Sequence, residues 1–179
     1  AEMAASCYAG ESATYRAAKD IEDRISAREA EGTSHQEAEL NGEEELAIEC
    51  SILKVAVSED VQNCADEGIQ MFGGMGFSED TPMESAWRDA RIARIYEGTN
   101  EINRMLSVGM LIKKAFKGHV DLLGPATKVQ EELMGIPSFD TPDYSELFSE
   151  EKEMLGKLKK AFLMVAGGAV QKYGPDLEG

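Results

Sequence analysis

Apolar side chains recur at helical spacing along most of the chain. One series, with steps of three and four, predicts a long helix near the N-terminus: Met3, Cys7, Gly10, Thr14, Ala17, Ile21 and Ile25. A second series predicts another long helix: Leu46, Cys50, Leu53, Val57, Val61 and Cys64. Because further apolar residues widen this second stripe, we expect its helix to be covered on more than one side.

The segments between and after these helices contain residues that end one helix or begin the next. "EGTSHQEAELNGEEE", with Gly32 and Gly42, is predicted to be a polar connection, which makes the two long helices an antiparallel hairpin within a bundle. The glycines of "GIQMFGGMGF" end the second helix. Thr81 and Pro82, with Glu84 three residues after the threonine, predict a capping box at the start of a short helix.

Thr99 is the expected N-cap of a further helix whose apolar positions are Ile102, Leu106, Gly109, Ile112 and Phe116. Near residue 118 the composition shifts towards glycine and proline, so we place a domain boundary there. Residues 1–118 are predicted to form one helical bundle, and residues 119–179 an additional, truncated helical region. The latter contains an amphipathic helix with Leu155, Leu158, Phe162, Val165 and Ala169 on one face.

The charge of the chain limits the kinds of partner that it could bind. A formal net charge of -16 and the lack of a basic stripe argue against binding to nucleic acid or to an anionic membrane surface. The sequence has no apolar run of about 20 residues and no visible signal peptide. Three widely spaced cysteines, Cys7, Cys50 and Cys64, favour buried, reduced thiols over disulfides or a zinc site.

Two segments could carry chemistry. In "QMFGGMGF", adjacent glycines allow a ligand to approach the backbone closely, although a Gly-Gly pair between helices is more often just a turn. In "IYEGTNEINR", Glu97 precedes a helix start on which an anionic ligand could rest, or it merely complements the helix dipole. His35 and His119 have no neighbouring ligand residues in the sequence, so a metal site is not expected, and a metal-carboxylate bundle lacks its Glu-x-x-His pairs.

Together, "GIQMFGGMGFSEDTPMESAWRDARIARIYEGTNEINR" resembles the C-terminal signature of the acyl-CoA dehydrogenases. The resemblance is dense from about residue 64 to residue 113 and includes the blocks "Q-x-x-GG-x-G-[YF]", "RDA" and "IYEGT". The preceding helices resemble the same C-terminal domain less specifically. The tail beyond residue 118 is similar to the extra C-terminal region of the very-long-chain members.

The resemblance implies an all-α, antiparallel helical bundle and a flavin-dependent reaction. Glu97 matches the catalytic base, which removes the α-proton of an acyl-CoA thioester while hydride leaves the β-carbon for FAD. Tyr96 and Gly98 match residues beside the substrate. Trp87 is expected in the core, and Arg88 and Asp89 are expected to have structural roles. The positions that match flavin contacts are Gln70, Gly73, Gly74, Thr99 and Glu101.

The resemblance also implies partners and a setting. It implies a homodimer or homotetramer in which the Gln70–Gly74 turn contacts the flavin across a subunit interface, and an electron-transfer flavoprotein as electron acceptor in fatty-acid β-oxidation. The expected location is the bacterial cytoplasm, or the mitochondrial matrix in a eukaryote. Because the family's N-terminal and middle domains are absent, we expect this chain alone to be inactive and to self-associate. The competing hypothesis is a non-catalytic oligomerisation or partner-binding module derived from such an enzyme.

Overall fold

The computed structural model describes residues 1–135 and 146–174, and the regular elements within those ranges are helices, with no strand. The expected all-α fold is therefore confirmed. The chain divides into two compact units, Ala1–Val108 and Gly109–Gly179. In chain order, the helices are α1 (Glu2–Ala30), α2 (His35–Glu45), α3 (Ala47–Phe72), α4 (Gly74–Phe77), α5 (Pro82–Ile92), α6 (Asn100–Phe116), α7 (Leu123–Met134) and α8 (Ser149–Tyr173).

In the first unit, α2 and α3 together run antiparallel to α1. A methyl group built on Gly42 would lie 3.0 Å from Ile25 Cγ1, and one built on Gly10 would lie 3.4 Å from Val57 Cγ2. Later residues of α1 therefore face earlier residues of the following helices, as in an antiparallel hairpin. The predicted hairpin is thus present.

The predicted polar connection between the long helices is wrong, because most of it is helix α2. Ser34 caps this helix by accepting a hydrogen bond from the Glu37 backbone N–H. Ala38 is fully buried, and Gly42 is buried where α2 approaches Ile25. The glycine that suggests a break instead allows two helices to pack closely, which residue type alone does not reveal.

Helix α3 packs against α1, α2, α4 and α5, so it has neighbours on several sides, as expected. Its buried face nevertheless differs from the predicted apolar stripe. The residues buried on α3 are Ser51, Val55, Ser58, Gln62, Ala65 and Gly68. Cys50 and Val61 of the predicted stripe are exposed. The buried face is chosen by close approach and hydrogen bonding, for which small and polar side chains are suited.

The glycine turn and the start of α5 lie at the far end of α3. Gly73 ends α3 with a φ of 61°, and α5 begins with Pro82 at its first turn, as predicted. The predicted capping box is wrong, because the Thr81 hydroxyl donates instead to the Met75 carbonyl, at 2.6 Å, and makes no cap hydrogen bond. Trp87 is half-buried rather than a full core residue, and its indole N–H donates to Asp66 Oδ1 at 3.1 Å.

In the second unit, α7 packs against α8. A methyl group built on Gly167 would lie 2.7 Å from Ala126 Cβ, so these helices meet at a glycine. Helix α7 is not anticipated by the sequence pattern, whereas α8 is. The four large residues of the predicted stripe on α8 are more than half exposed: Leu155, Leu158, Phe162 and Val165.

The predicted boundary at residue 118 falls just after α6, whereas the first compact unit ends inside that helix, at Val108. The division into a bundle domain and an additional region remains a prediction. The cysteines are unpaired, as expected, but Cys7 and Cys50 are exposed, and only Cys64 is partly covered. Across the residues that the structure describes, no helix is both long and apolar enough to span a membrane.

Candidate functional site

Glu97 lies in the loop between α5 and α6 with an unusual backbone. Its φ is 55°, and that of Gly98 is 81°, so two consecutive residues have left-handed conformation. For a residue with a side chain, such a conformation costs about 1–3 kcal/mol and persists only where the surroundings impose it. The loop around Glu97 is therefore held by specific interactions.

Two side chains hold the carbonyl oxygen of Gly98. Lys54 Nζ, from the first half of α3, donates to it at 2.7 Å, and Asn103 Nδ2, from the first turn of α6, donates to it at 2.8 Å. Gly98 has little room for a side chain, because a methyl group there would lie 3.0 Å from Asn103 Nδ2. The glycine is therefore required both by its positive φ and by the close approach of Asn103.

A buried asparagine joins this loop to α3. Asn100 is 0% exposed, and its side-chain oxygen accepts hydrogen bonds from Lys54 Nζ at 2.8 Å and from Ser58 Oγ at 3.2 Å. Its amide Nδ2 lies 3.0 Å from Ser58 Oγ and 3.2 Å from Glu59 Oε1. A buried polar group costs free energy unless it is paired, and Asn100 is paired on both sides.

An ion pair lies beside the buried asparagine. Arg104 Nη2 donates to both carboxylate oxygens of Glu59, each at 2.8 Å, and Arg94 Nη2 lies 3.8 Å from the same carboxylate. The hydrogen bond from Arg104, helped by that from Asn100, holds the pKa of Glu59 below its usual value. Glu59 therefore remains a carboxylate and ties α6 to α3.

The first-turn amides of α6 are already paired. The Asn100 N–H donates to the Arg94 carbonyl, the Asn103 N–H to the Thr99 carbonyl, and the Ile102 N–H to the Thr99 hydroxyl, which confirms Thr99 as the N-cap. The Glu101 N–H bonds its own carboxylate, and this contact, with the Thr99 hydroxyl, lowers the pKa of Glu101. The helix start therefore has no spare amide among these four for the anionic ligand considered above.

Tyr96 and Glu97 are both exposed in this chain. The carboxylate is therefore accessible to a ligand that approaches from outside the helices, while its backbone is fixed from the inner side. This arrangement suits a group that acts on a molecule bound against this surface.

The glycine turn after α3 is a second accessible surface. Gln70, Gly73 and Gly74 are exposed, and methyl groups built on the two glycines would meet no atom of the described residues within 4 Å. A ligand can therefore reach the backbone there.

The structure does not bring the two predicted sets of cofactor contacts together. Thr99 and Glu101 adjoin Asn100, which contacts Ser58, whereas Gln70 lies twelve residues further along the same helix. At 1.5 Å per residue, this separation is about 18 Å along α3. One chain thus presents two separate contact surfaces.

The supporting residues Lys54, Ser58 and Asn103 are not identified by sequence reasoning. Ser58 lies on the same face of α3 as Ser51 and Gln62, and a polar series at buried helical spacing is a signal that could have found it. Lys54 gives no such signal, because a lysine on a helix is ordinarily solvated.

Other chemical centres are not found in the described part of the chain. No group of three or more histidine, cysteine, aspartate or glutamate side chains there could hold a metal ion. His35 is exposed and contacts Glu29 Oε1 at 2.6 Å, and this contact raises the pKa of His35. His119 is exposed.

The comparisons with known proteins agree on one family. Residues 1–109 match the model for the acyl-CoA dehydrogenase C-terminal domain. A probable acyl-CoA dehydrogenase of Bacillus subtilis is 42% identical over 176 residues, which is 98% of this chain and 29% of that protein. A very long-chain specific acyl-CoA dehydrogenase of Macaca fascicularis is 35% identical over 111 residues, 54% of this chain and 17% of that protein.

Comparison with solved structures identifies the same family. A crystal structure of an acyl-CoA dehydrogenase from Bacillus anthracis, complexed with FAD, matches with a TM-score of 0.84 and 43% identity, over 99% of this chain and 30% of that chain. The chain thus spans less than a third of the length of these relatives. It belongs to the acyl-CoA dehydrogenase family, with residues 1–109 corresponding to the family's C-terminal domain.

Proposed function

We propose that this chain is the C-terminal part of an FAD-dependent acyl-CoA dehydrogenase that oxidises an acyl-CoA thioester to the trans-2-enoyl-CoA in fatty-acid β-oxidation. The observation that carries the proposal is the fixed, left-handed backbone at Glu97, held from inside while the carboxylate is accessible from outside. Strain of this kind is concentrated at active sites. A glutamate that only complemented the helix dipole would not need it.

Glu97 acts as the general base in this proposal. One of its carboxylate oxygens takes the α-proton of the thioester, and the electron pair of the broken C–H bond becomes part of the new α,β double bond. Tyr96 and Gly98 lie on either side of this carboxylate in the chain and would contact the acyl group. Glu97 is exposed here, so the desolvation that strengthens a carboxylate base would come from the bound substrate and from the rest of the enzyme.

FAD, when bound, supplies the acceptor for the hydride that leaves the β-carbon. The glycine turn fits such a group, because the exposed backbone at Gly73 and Gly74 can be approached closely and Gln70 adds an amide. Thr99 and Glu101 would contact it from the other surface. The two surfaces are about 18 Å apart along α3, and the resemblance to the family implies that two chains of a homo-oligomer each contribute one of them.

The intact enzyme would pass electrons to an electron-transfer flavoprotein, in the bacterial cytoplasm or the mitochondrial matrix. This chain alone is expected to bind flavin weakly and not to turn over acyl-CoA. Its exposed apolar residues, including those of α8, favour self-association instead. Analytical ultracentrifugation of the chain tests this point, and a monomer at micromolar concentration would contradict it.

The experiment that tests the function uses the complete reading frame that contains these residues. The purified protein should carry flavin absorbance, and a series of acyl-CoA substrates should bleach it with formation of enoyl-CoA. Glu97→Gln should retain flavin and lose about 10²–10⁴-fold in kcat, the contribution of a positioned base. Glu79→Gln, an exposed glutamate of the turn before α5, is the matched control and should keep its activity.

Two outcomes would contradict the proposal. Turnover that survives in Glu97→Gln would place the base elsewhere. A complete protein that assembles but neither binds flavin nor oxidises any acyl-CoA would favour the non-catalytic oligomerisation module.

A further inference from the structure

Lys54 makes its two hydrogen bonds to the loop from a helix distant in sequence. Its ammonium group lies 2.7 Å from the Gly98 carbonyl oxygen and 2.8 Å from Asn100 Oδ1. It therefore joins Gly98 and Asn100, which lie one and three residues after Glu97, to the first half of α3. A surface lysine would gain little from such an arrangement, because ordering a long side chain costs conformational entropy.

The Gly98 carbonyl oxygen is the atom through which Lys54 can restrain the loop. It belongs to the peptide group directly after the two left-handed residues, so fixing its direction restricts the backbone rotation at Gly98. Asn103 bonds the same oxygen at 2.8 Å, but Asn103 also bonds the Thr99 carbonyl at 3.2 Å and belongs to the same segment of chain. Of these two donors, only Lys54 connects the carbonyl to α3.

The charge of Lys54 strengthens this contact. A hydrogen bond from an ammonium group is stronger than one between neutral groups, by about twofold. The Asn100 side-chain oxygen beside it belongs to a fully buried residue, so this acceptor of Lys54 is fixed in position. A strained loop of the observed kind needs support of this strength, since left-handed backbone at a glutamate costs about 1–3 kcal/mol.

We propose that Lys54 is a positioning residue for the reaction: by binding the Gly98 carbonyl it holds Glu97 in its left-handed conformation and so directs the carboxylate towards the substrate's α-carbon. This inference rests on the proposed function of Glu97 as the base. It assigns no chemical step to Lys54, which touches neither the substrate nor the proton.

The test compares variants of the complete enzyme. Lys54→Met keeps the unbranched side chain up to the Cε position and removes the donor, whereas Lys54→Arg keeps a charged donor. Lys19→Met is the matched control, because Lys19 is an exposed lysine whose polar partner, Asp23, lies on α1 itself. Each variant is measured for flavin content, thermal midpoint, kcat and KM, and for the kinetic isotope effect with substrate deuterated at the α-carbon.

Lys54→Met should lower kcat about 10–100-fold with little change in KM, because a misplaced base slows proton transfer more than it weakens binding. The isotope effect should rise, since proton abstraction then limits turnover. Lys54→Arg should recover part of the loss, and Lys19→Met should behave as the wild type. A residue that merely stabilised the fold would lower the thermal midpoint and flavin content without changing the isotope effect.

Hydrogen exchange supplies a readout that does not depend on turnover. The amides of Ile95, Tyr96 and Asn100, which bond the carbonyls of Ile92 and Arg94, should exchange faster in Lys54→Met than in the wild type or in Lys19→Met. Unchanged exchange there would overturn the proposal, and so would a wild-type kcat and isotope effect in Lys54→Met. If Lys54→Met folds poorly, Lys54→Arg decides: exchange of those amides and the isotope effect should change together or not at all, and faster exchange with a wild-type kcat and isotope effect would overturn the proposal.

The outcomes separate the two proposals. A wild-type enzyme without acyl-CoA oxidation, or an active Glu97→Gln variant, would overturn the proposed function and the inference with it. An active wild type, an inactive Glu97→Gln variant and a fully active Lys54→Met variant would overturn only the inference.

Discussion

Asn100 and Ser58 bind each other in a buried pair of hydrogen bonds, at 3.0 and 3.2 Å, that joins the start of α6 to the middle of α3. Among the described residues, Asn100 has the largest side chain that is fully buried, although it is polar. A polar side chain in that position is tolerated because both its oxygen and its amide have partners. The pair therefore fixes the loop that carries Glu97.

Replacing Asn100 with alanine should destabilise the first unit by about 2–3 kcal/mol, because buried partners on α3 are left unpaired. Trp87 is the single tryptophan of the sequence and lies in the same unit, so its fluorescence during urea unfolding measures the change. Asn63→Ala, at an exposed position of α3, is the control and should change the free energy of unfolding by less than about 0.5 kcal/mol. Equal effects of the two substitutions would contradict the buried network.

Two adjacent glycines of α8 should respond oppositely to alanine. A methyl group on Gly167 would lie 2.7 Å from Ala126 Cβ on α7, whereas one on Gly168 would meet no described atom within 4 Å. Gly168→Ala should therefore stabilise the helix by up to about 1 kcal/mol, and Gly167→Ala should cost about 1–3 kcal/mol through overpacking. Thermal unfolding followed by circular dichroism compares them, and the reverse order would mean that α7 and α8 do not meet there.

The stability of the first unit should depend on pH through Glu59. Its pKa lies below the ordinary value of 4.5 in the folded state, chiefly because of Arg104, so the folded chain binds this proton less readily than the unfolded chain. The stabilisation is fully present above the unfolded pKa and is lost as the pH falls through the lower folded pKa.

Glu59→Gln should therefore reduce the free energy of unfolding by about 1 kcal/mol near neutral pH. The difference from the wild type should shrink as the pH falls below the ordinary value of 4.5 and through the lower folded pKa, where the wild type also loses the charge. Urea unfolding at a series of pH values measures this difference in the free energy of unfolding. Glu67→Gln, an exposed position two turns later on α3, should follow the wild type at each pH, and a constant offset for Glu59→Gln would contradict the ion pair.

The packing of α1 on α3 should be visible as a cross-link. Cys7 and Cys64 line the same groove between these helices, and burial together with the neighbouring Cys7 thiol raises the pKa of Cys64. Mild oxidation with a copper–phenanthroline catalyst should join them, with the loss of two hydrogen atoms in the intact mass. Cys50→Ser should still form this link, whereas Cys7→Ser and Cys64→Ser should not, and cross-linking only between molecules would contradict the packing.

Much of the helical framework follows from sequence patterns, because apolar spacing and caps are local properties. The long helices α1 and α3, the glycine break at Gly73 and the N-cap at Thr99 are all found where the patterns predict them. Helix α2 is missed because Gly42 is interpreted as a break, and only the approach of Ile25 explains why a glycine is needed there.

The candidate site also contains residues that the sequence identifies and residues that only the structure identifies. Glu97 and its neighbours are found by their resemblance to a family motif, and their proposed roles stay predictions. The residues that hold the loop, Lys54 and Ser58, are more than thirty residues away in sequence and carry no motif of their own. Their role depends on α5 and the loop after it returning the chain to the middle of α3.

The sequence by itself determined that this protein is helical and which family it resembles, because periodicity, caps and a dense local motif are properties of residues that are close in the chain. The tertiary structure alone decided which faces are buried and what restrains Glu97. Close helix contacts at glycines and hydrogen bonds between distant residues depend on distances in space, and residue spacing along the chain does not specify those distances.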